Sequence, residues 1–386
     1  MDTKDYPFIS IIVVNYNGQK WLELCIPSLL KTKYPCFEII IVDNASSDNS
    51  VSYIHEKFPS VIVLANVKNL GYSNAVNSAL STCRGKFIAV LNNDIEVEPD
   101  WLEKLVNTLD QDDKIGIVAP KKRLMFDRQY LDGAGGVQNI FGYGWDRGQC
   151  ELDNGRYNST AEILHPPGAA FLMRRDLIEM YGFVLNPDFF YMFDDGDLGL
   201  RSWISGYKVI YVPDSVIYHV RGPSIGNYSY RTTKFMDTHV LASYYEVFGL
   251  WFIIRYLPLF FLVRVTSGFL LLKTTKNTAY LKAAFMSTFS FFKNLSHYLK
   301  IRYIVRRNSV LDSNALLGRF TDEIATSDYV FPYMHMFNLL LTLTGNYVKT
   351  IVRGKPITTV KRSTIDKFRF INHKPLDESL AEAKRR

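Results

Sequence analysis

Three carboxylates fall within four positions in Phe193-Asp194-Asp195-Gly196-Asp197-Leu198-Gly199-Leu200-Arg201. Acids that close repel one another, so the cluster calls for a cation, an arginine, a held proton or a task as a base. A helix N-terminus favours acids through the macrodipole, which accounts for one or two of them better than for three. A second carboxylate, Asp94, closes the apolar run of Leu91-Asn92-Asn93-Asp94. At a strand end it suits Mg²⁺ or Mn²⁺, hard cations that accept phosphates and water as remaining ligands. The plainer account is a polar turn before Pro99. A third, Asp43, stands at the end of another apolar run in Val42-Asp-Asn-Ala-Ser-Ser-Asp48. It could accept hydrogen bonds from a base or ribose, or the segment could be a turn with Ser47 or Asp48 as a helix cap. Asn74 and Asn77, three apart, share a helix face and could read a polar edge, or simply open a polar helix. His219 ends the alternating run Tyr211–Arg221 and could ligate a metal through a neutral imidazole. A lone histidine is more often structural.

The elements that must position these groups follow from the apolar pattern. Ile9–Val14, Glu38–Val42, Val61–Leu64, Phe87–Leu91 and Ile115–Ala119 are short, continuous apolar runs, as expected for strands covered on both faces. Helix-like segments lie between them: one from Asp48 through His55, Tyr72–Leu80, and Pro99–Leu109 with Pro99 and Asp100 as start signals. Alternation of this kind predicts a mostly parallel sheet with right-handed crossovers. Ligands of such sheets bind beyond the carboxyl ends of the strands, where Asp43 and Asp94 fall. No G-x-G-x-x-G follows the first strand, so a dinucleotide fingerprint is absent. The pattern fades between Lys121 and Leu164, a stretch rich in glycine and aromatics that includes Gly142-Tyr-Gly-Trp145. It returns with a strand at Ala169–Met173, helices at Arg175–Tyr181 and Asp195–Ser205, and a strand at Val209–Val212 ended by Pro213.

The 386 residues suffice for a full-sized core, and 47% apolar with 22% charged residues is a folded composition. Cys25, Cys36, Cys83 and Cys150 show no C-x-x-C spacing, which argues against a zinc site or disulfide framework and fits a reducing compartment. The N-terminus lacks the basic and apolar regions of a cleaved signal peptide. Charge is divided unevenly. Residues 1–230 carry 21 Lys and Arg against 28 Asp and Glu, a net of −7, whereas residues 231–386 carry 24 against 10, a net of +14. The basic third also holds apolar blocks at Leu250–Leu272, Ala283–Phe292 and Phe331–Leu343, so its expected partner is an anionic membrane surface and not nucleic acid. Leu250–Leu272 approaches the length of a span, but Arg255 and Arg264 would fall on opposite sides of it, about 180° apart on a helix. Helices lying in the interface, with their basic residues meeting headgroups, are the preferred expectation over a span or a soluble helical subdomain.

Taken in order, these segments resemble the family 2 glycosyltransferases, in particular the rhamnosyltransferase-like and galactofuranosyltransferase-like branch. The text that carries the resemblance is Ile11-Ile-Val-Val-Asn-Tyr-Asn17, Val42–Asp48, Asn69-Leu-Gly-Tyr-Ser-Asn-Ala-Val-Asn77, Leu91–Asp94, Phe193–Arg201, and Gly206–Pro213 running on to His219, within about residues 8–225. The resemblance implies a GT-A fold, α/β with a mixed, mostly parallel sheet between helices, over residues 1–230. A basic, helical membrane-association region would then occupy residues 231–386. It implies an inverting transfer of a sugar from a nucleotide diphosphate donor to a glycan or lipid-linked acceptor, rhamnosyltransferase-like, at the cytoplasmic face of the cell membrane. By position, Asp43 binds the nucleotide with Asn44, Asn74 and Asn93 nearby; Asp94 and His219 hold the divalent metal; Asp195 is the general base, and Asp194, by adjacency, is expected to orient the acceptor or tune the pKa of Asp195. Trp145 and Tyr143, in the glycine-rich connection, are the expected acceptor contacts. Two departures stand out: Asn92-Asn93-Asp94 offers one carboxylate where the family has D-x-D, and the acid pair opens with Asp194 where glutamate is common. There is no Q-x-x-R-W, which favours adding one or a few sugars over long polymers. A nucleotide-sugar-binding protein without catalysis would lack the acid pair, and a nucleotidyltransferase would be expected to show a glycine- and lysine-rich phosphate loop that Asn15-Tyr-Asn-Gly-Gln19 does not supply.

Overall fold

The computed structural model describes residues 6–220 and 229–321. Its strands are β1 (Ile9–Asn15), β2 (Phe37–Asp43), β3 (Ile62–Ala65), β4 (Phe87–Asn92), β5 (Ile95–Val97), β6 (Ile115–Leu124), β7 (Leu131–Gly133), β8 (Gly136–Gln138), β9 (Gly144–Asp146), β10 (Ala161–Glu162), β11 (Ala170–Arg174) and β12 (Lys208–His219). Its helices are α1 (Gln19–Leu30), α2 (Ser50–Lys57), α3 (Tyr72–Ser78), α4 (Trp101–Leu109), α5 (Arg175–Tyr181), α6 (Asp194–Ile204), α7 (Tyr230–Val247), α8 (Leu250–Thr275), α9 (Ala279–Lys293), α10 (Leu295–Arg307) and α11 (Ser313–Leu316). The main sheet runs β10-β12-β6-β11-β4-β1-β2-β3, with β5 beside β12 and β7 beside β6. Strands β3, β2, β1 and β4 are parallel, as are β6 and β12, while β11 runs antiparallel between the two groups.

The continuous apolar strands have the predicted cause. In β1, Ile12 and Val14 enter one core with α3, α5 and α6, whereas Ile9, Ile11 and Val13 enter the other with α1 and α4. Period-two alternation thus feeds two apolar layers, and every position is buried. Helix α1 went unmarked in the sequence; it shields β1 and β5 through Leu22, Cys25, Ile26 and Leu29. Strand β12 does not stop at Pro213. A register shift between Val212 and Val216 places the proline at a bulge, where no ladder donor is needed, and the strand runs on to His219. The faded stretch contains the β8–β9 hairpin, which is too short to show periodicity.

The C-terminal helices share the catalytic core: residues from Val240 to Phe320 belong to the same apolar cluster as Ile12 and Phe171. Helix α8 has two faces. Phe252, Tyr256, Phe260 and Val263 are buried against the domain, while Trp251, Ile254, Leu262 and Phe269 are exposed. Arg255 and Arg264 do fall on opposite faces, with a correction to the expectation that both meet headgroups. Arg264 is buried, pairs with Asp237 of α7 at 2.9 Å and donates to Phe141 O at 2.8 Å. Burial of so apolar a face leaves its guanidinium only protein partners. The apolar block Phe331–Leu343 lies outside the described residues.

Candidate active site

The carboxyl ends of β1, β2 and β4 are joined by side chains. Asn93 Nδ2 donates to Asn15 Oδ1 at 2.7 Å, and Asn15 Nδ2 donates to Asp43 Oδ1 at 3.0 Å. Ser46 N–H donates to Asp43 Oδ2 at 2.9 Å. A side chain at Gly18 would collide with both Asn93 and Asn15, so the approach depends on that glycine. Asn44 is buried with its amide fully engaged. It donates to Asn69 Oδ1 at 3.0 Å and Gly71 O at 3.2 Å, and accepts from Asn66 Nδ2 at 3.2 Å and Leu70 N–H at 3.0 Å. Its place is to hold the loop before α3, with Gly71 at φ +80° against Phe190. Asn74 Nδ2 donates to Pro187 O at 2.9 Å, and Asn77 bonds Leu185 and Val184, so both tie α3 to the segment before the acid cluster.

Asp94 follows β4, and its Oδ1 is buried without a hydrogen-bond partner. His219, at the end of β12, faces it with Nε2 at 3.5 Å. On its other side Nδ1 meets Asp132 Oδ2 at 2.9 Å. Burial alone pulls the imidazole pKa down, but Asp94 and Asp132 outweigh it and raise it to about 9. A divalent cation that displaced the Nε2 proton would meet the Asp94 carboxylate and the neutral imidazole as its donor set. Among the described residues no three His, Cys, Asp or Glu side chains converge on one point.

The acid pair opens α6 after two residues in left-handed backbone, Met192 at φ 76° and Phe193 at φ 65°. Such conformations cost about 1–3 kcal/mol each and persist where surroundings hold them. Here His239 of α7, stacked between Phe189 and Phe235, donates from Nδ1 to Met192 O at 2.8 Å. Asp194 is buried; burial first and Asp195 second push its pKa up to about 7. Asp195 is better exposed, accepts from Gly196 N–H at 2.8 Å and lies 3.6 Å from His165 Nδ1. His165 itself donates from Nδ1 to Pro166 O at 3.0 Å. Asp197 is drawn inward, to Arg201 at 2.7 Å and Ser243 at 2.8 Å, which explains the third acid of the cluster.

The two groups of acids meet across β4 and β11. Asn92 N–H donates to Ala169 O at 2.9 Å, and a side chain on the preceding Gly168 would stand 3.4 Å from Asp195 Oδ2. The Tyr72 hydroxyl lies 3.5 Å from Gly168 O, and its pKa is pushed well up by burial and then by Asp194, Asp195 and Asp94, so both groups of acids act on it. A cavity of about 230 Å³ opens beside Asp195, lined among others by Trp145, Asp146, His165, Phe193 and Met236. Tyr143 turns the other way: its hydroxyl meets Ser267 at 3.0 Å and its ring lies under Arg264. The structure thus brings Asp195 and Trp145 to one cavity, pairs Asp94 with His219 separately, and gives Tyr143 to α8. His165, Asp132, Asn15 and His239 are functional neighbours that the sequence reading missed. Only Asn15 carried a signal, as the residue ending β1 where Asp43 ends β2.

Residues 10–182 match the family model of Glycosyl transferase family 2. The chain carries a glycosyl transferase family 2 domain. An uncharacterized glycosyltransferase of Haemophilus influenzae is 29% identical over 126 residues, 32% of this chain and 39% of that protein. The N-acetylglucosaminyl-diphospho-decaprenol L-rhamnosyltransferase of Mycobacterium tuberculosis is 24% identical over 240 residues, 56% of this chain and 78% of that protein. The chain spans less than two fifths of the length of the first curated relatives it matches. The solved structure of GalNAc-T7 with UDP, GalNAc and Mn²⁺ aligns with a TM-score of 0.51 at 17% identity, over 63% of this chain and 51% of that one. This is a likeness of fold, and with the sheet order above it makes the domain GT-A.

Proposed function

We propose that the chain is an inverting glycosyltransferase that moves a sugar, rhamnose or a related hexose, from a nucleotide diphosphate donor to a lipid-linked or glycan acceptor. The observation that carries the reading is that Asp195, beside its cavity, and Asp94, paired with His219, both act on the same buried Tyr72 hydroxyl beside the carboxyl end of β4. Asp43, with Asn93 and Asn15 behind it, receives the nucleoside. Asp94 and His219 hold Mg²⁺ or Mn²⁺, which when bound offsets charge on the departing diphosphate. Asp195 Oδ2 faces the cleft and takes the proton of the acceptor hydroxyl as it attacks from the face opposite the diphosphate, inverting the anomeric carbon. Asp194, which burial and Asp195 keep partly protonated up to neutrality, limits the second negative charge beside that base. Trp145 offers a flat face to the acceptor sugar.

The surface of α8–α10 supports a membrane setting on the cytoplasmic face. Trp251, Ile254, Leu262, Phe269, Phe285, Phe289 and Phe292 are exposed, and Lys273, Lys282, Lys293, Lys300, Arg306 and Arg307 are exposed among them. No acidic residue occurs between Val247 and Leu311. The helix that could span by length, Leu250–Lys273, is committed on one face to the domain, so it rests in the interface and does not cross.

The test is turnover of dTDP-rhamnose, UDP-galactose, UDP-glucose and GDP-mannose by the purified chain, with Mg²⁺, Mn²⁺ or EDTA, with and without a polyprenyl-diphosphate-linked sugar. Selective turnover of one donor that EDTA abolishes is the expected result. No turnover of any donor with acceptor present, or turnover indifferent to EDTA, overturns the reading.

A further inference from the structure

Behind the cleft, five ionisable side chains form one continuous line. Asp94 faces His219 at 3.5 Å, and His219 bonds Asp132 at 2.9 Å. Lys122 Nζ reaches Asp132 Oδ2 at 3.1 Å and Asp146 Oδ2 at 2.7 Å. Asp132 and Lys122 are buried. The line starts at the proposed cation position and ends on the β8–β9 hairpin, whose Trp145 and Asp146 line the cavity beside Asp195. A side chain at Gly133 would collide with Asp146, so the backbone of β7 is shaped to admit that carboxylate.

Acidic and basic side chains alternate along the line, so each member is held by its neighbours. Asp132 accepts from His219 Nδ1, which fixes the ring with Nε2 toward Asp94. A carboxylate behind a ligating imidazole orients it and raises its basicity. Asp132 is shared, because Lys122 uses the same oxygen and also donates to Asp146 Oδ2 at 2.7 Å. Whatever is drawn onto Nε2 therefore redistributes charge at Asp132 and, through Lys122, at the hairpin.

We propose that Asp132 and Lys122 are positioning residues that couple the donor-side cation to the acceptor-side hairpin through Asp146. The inference rests on the cation position given above and adds a dependence between the two halves of the cleft: occupancy of one should order the other, and the coupling is reciprocal.

The experiment uses the full chain and two readouts besides turnover. Uptake of Mn²⁺ alone is followed by the loss of its free-ion electron paramagnetic resonance signal. The response of the hairpin is the change in Trp145 emission on adding non-quenching Mg²⁺, taken as the part abolished by W145F. Wild type should bind Mn²⁺ and H219A should bind it far more weakly; no uptake by wild type, or equal uptake by H219A, removes the cation position itself and this inference with it. With that position standing, D132N should weaken Mn²⁺ binding by about 10–100-fold. K122M and D146N should still take up Mn²⁺ but lose the Trp145 response to Mg²⁺, while K122R keeps it. Where K122M fails to fold, D146N alone decides. Unchanged Mn²⁺ affinity in D132N, no Trp145 response in wild type, or a full response in D146N overturns the coupling.

Discussion

The proposed donor side and the proposed acceptor side of the cleft are built in different ways. On the donor side, Asn93, Asn15 and Asp43 end three adjacent parallel strands and bond to one another, so the sheet that forms the core also sets the site. On the acceptor side, Asp194 and Asp195 follow two left-handed residues held by His239 from α7, and the connection carrying Trp145 is fastened by Arg264 of α8 through Phe141 O. One side is a property of the sheet. The other is imposed by helices whose far surface is apolar and exposed. Damage to the C-terminal helices should therefore reach the acceptor and spare the donor.

The largest effect is expected where the chemistry is. Asp195→Asn keeps the size and the Gly196 contact and removes the base. Transfer kcat should fall roughly 10²–10⁴-fold, with donor KM close to wild type, as read by steady-state kinetics. Normal turnover would remove Asp195 from its role.

Next is Arg264→Met, which strands Asp237 in the core. Breaking a buried pair typically costs about 3–5 kcal/mol, measurable by urea unfolding. Asp237→Asn added to it should recover part of the loss. In the surviving fold, acceptor KM should rise while donor KM holds, because Phe141 O loses its donor. Equal damage to both KM values would break the distinction between the two sides.

Asp194 adds a dependence on pH. Its pKa is raised in the fold to about 7 from an ordinary value of 3.8, so the fold favours the protonated form. Such a group costs nothing below the unfolded value and costs stability progressively as pH rises toward the folded one. Wild type should lose stability relative to Asp194→Asn between about pH 4 and 7, by at most roughly 4 kcal/mol at 1.4 kcal/mol per unit. Parallel stability curves for the two proteins would show that Asp194 does not carry the proton.

The same division explains what the sequence could disclose. Asp43 and Asp94 were legible because each ends an uninterrupted apolar run, and in a parallel sheet such ends converge. The two-layer burial of β1 was legible for the same reason. His165 was not: it stands 30 residues before Asp195, among Pro166, Pro167 and Gly168, with no periodicity to say which way it faces. Asp132 meets both Lys122 and His219 only because β6 pairs with both β7 and β12, a non-local event. Tyr143 and Trp145 are two residues apart in one aromatic segment, and only the docking of α8 gives the first to the helix and leaves the second to the cavity. Arg264 looked like a surface cation in an apolar run because its partner, Asp237, lies on another helix.

The smallest effect on the domain should come from the exposed face of α8. Trp251 and Phe269 are 74% and 57% exposed, so replacing both with serine takes nothing from the core. Surface substitutions of this kind usually stay within about 0.5 kcal/mol, and donor hydrolysis should not change. Co-sedimentation with phosphatidylglycerol-containing vesicles should nonetheless drop sharply, since each aromatic forfeits apolar area that it would bury in the interface. The basic residues beside them should leave a weaker, salt-sensitive attachment, so the double variant should be released by salt that wild type withstands. Turnover of a lipid-linked acceptor in vesicles should fall with it, while turnover in detergent, where no surface has to be found, should not. If vesicle binding survives the double substitution, the apolar face is not the seat, and the C-terminal helices would then serve the acceptor side by internal packing alone.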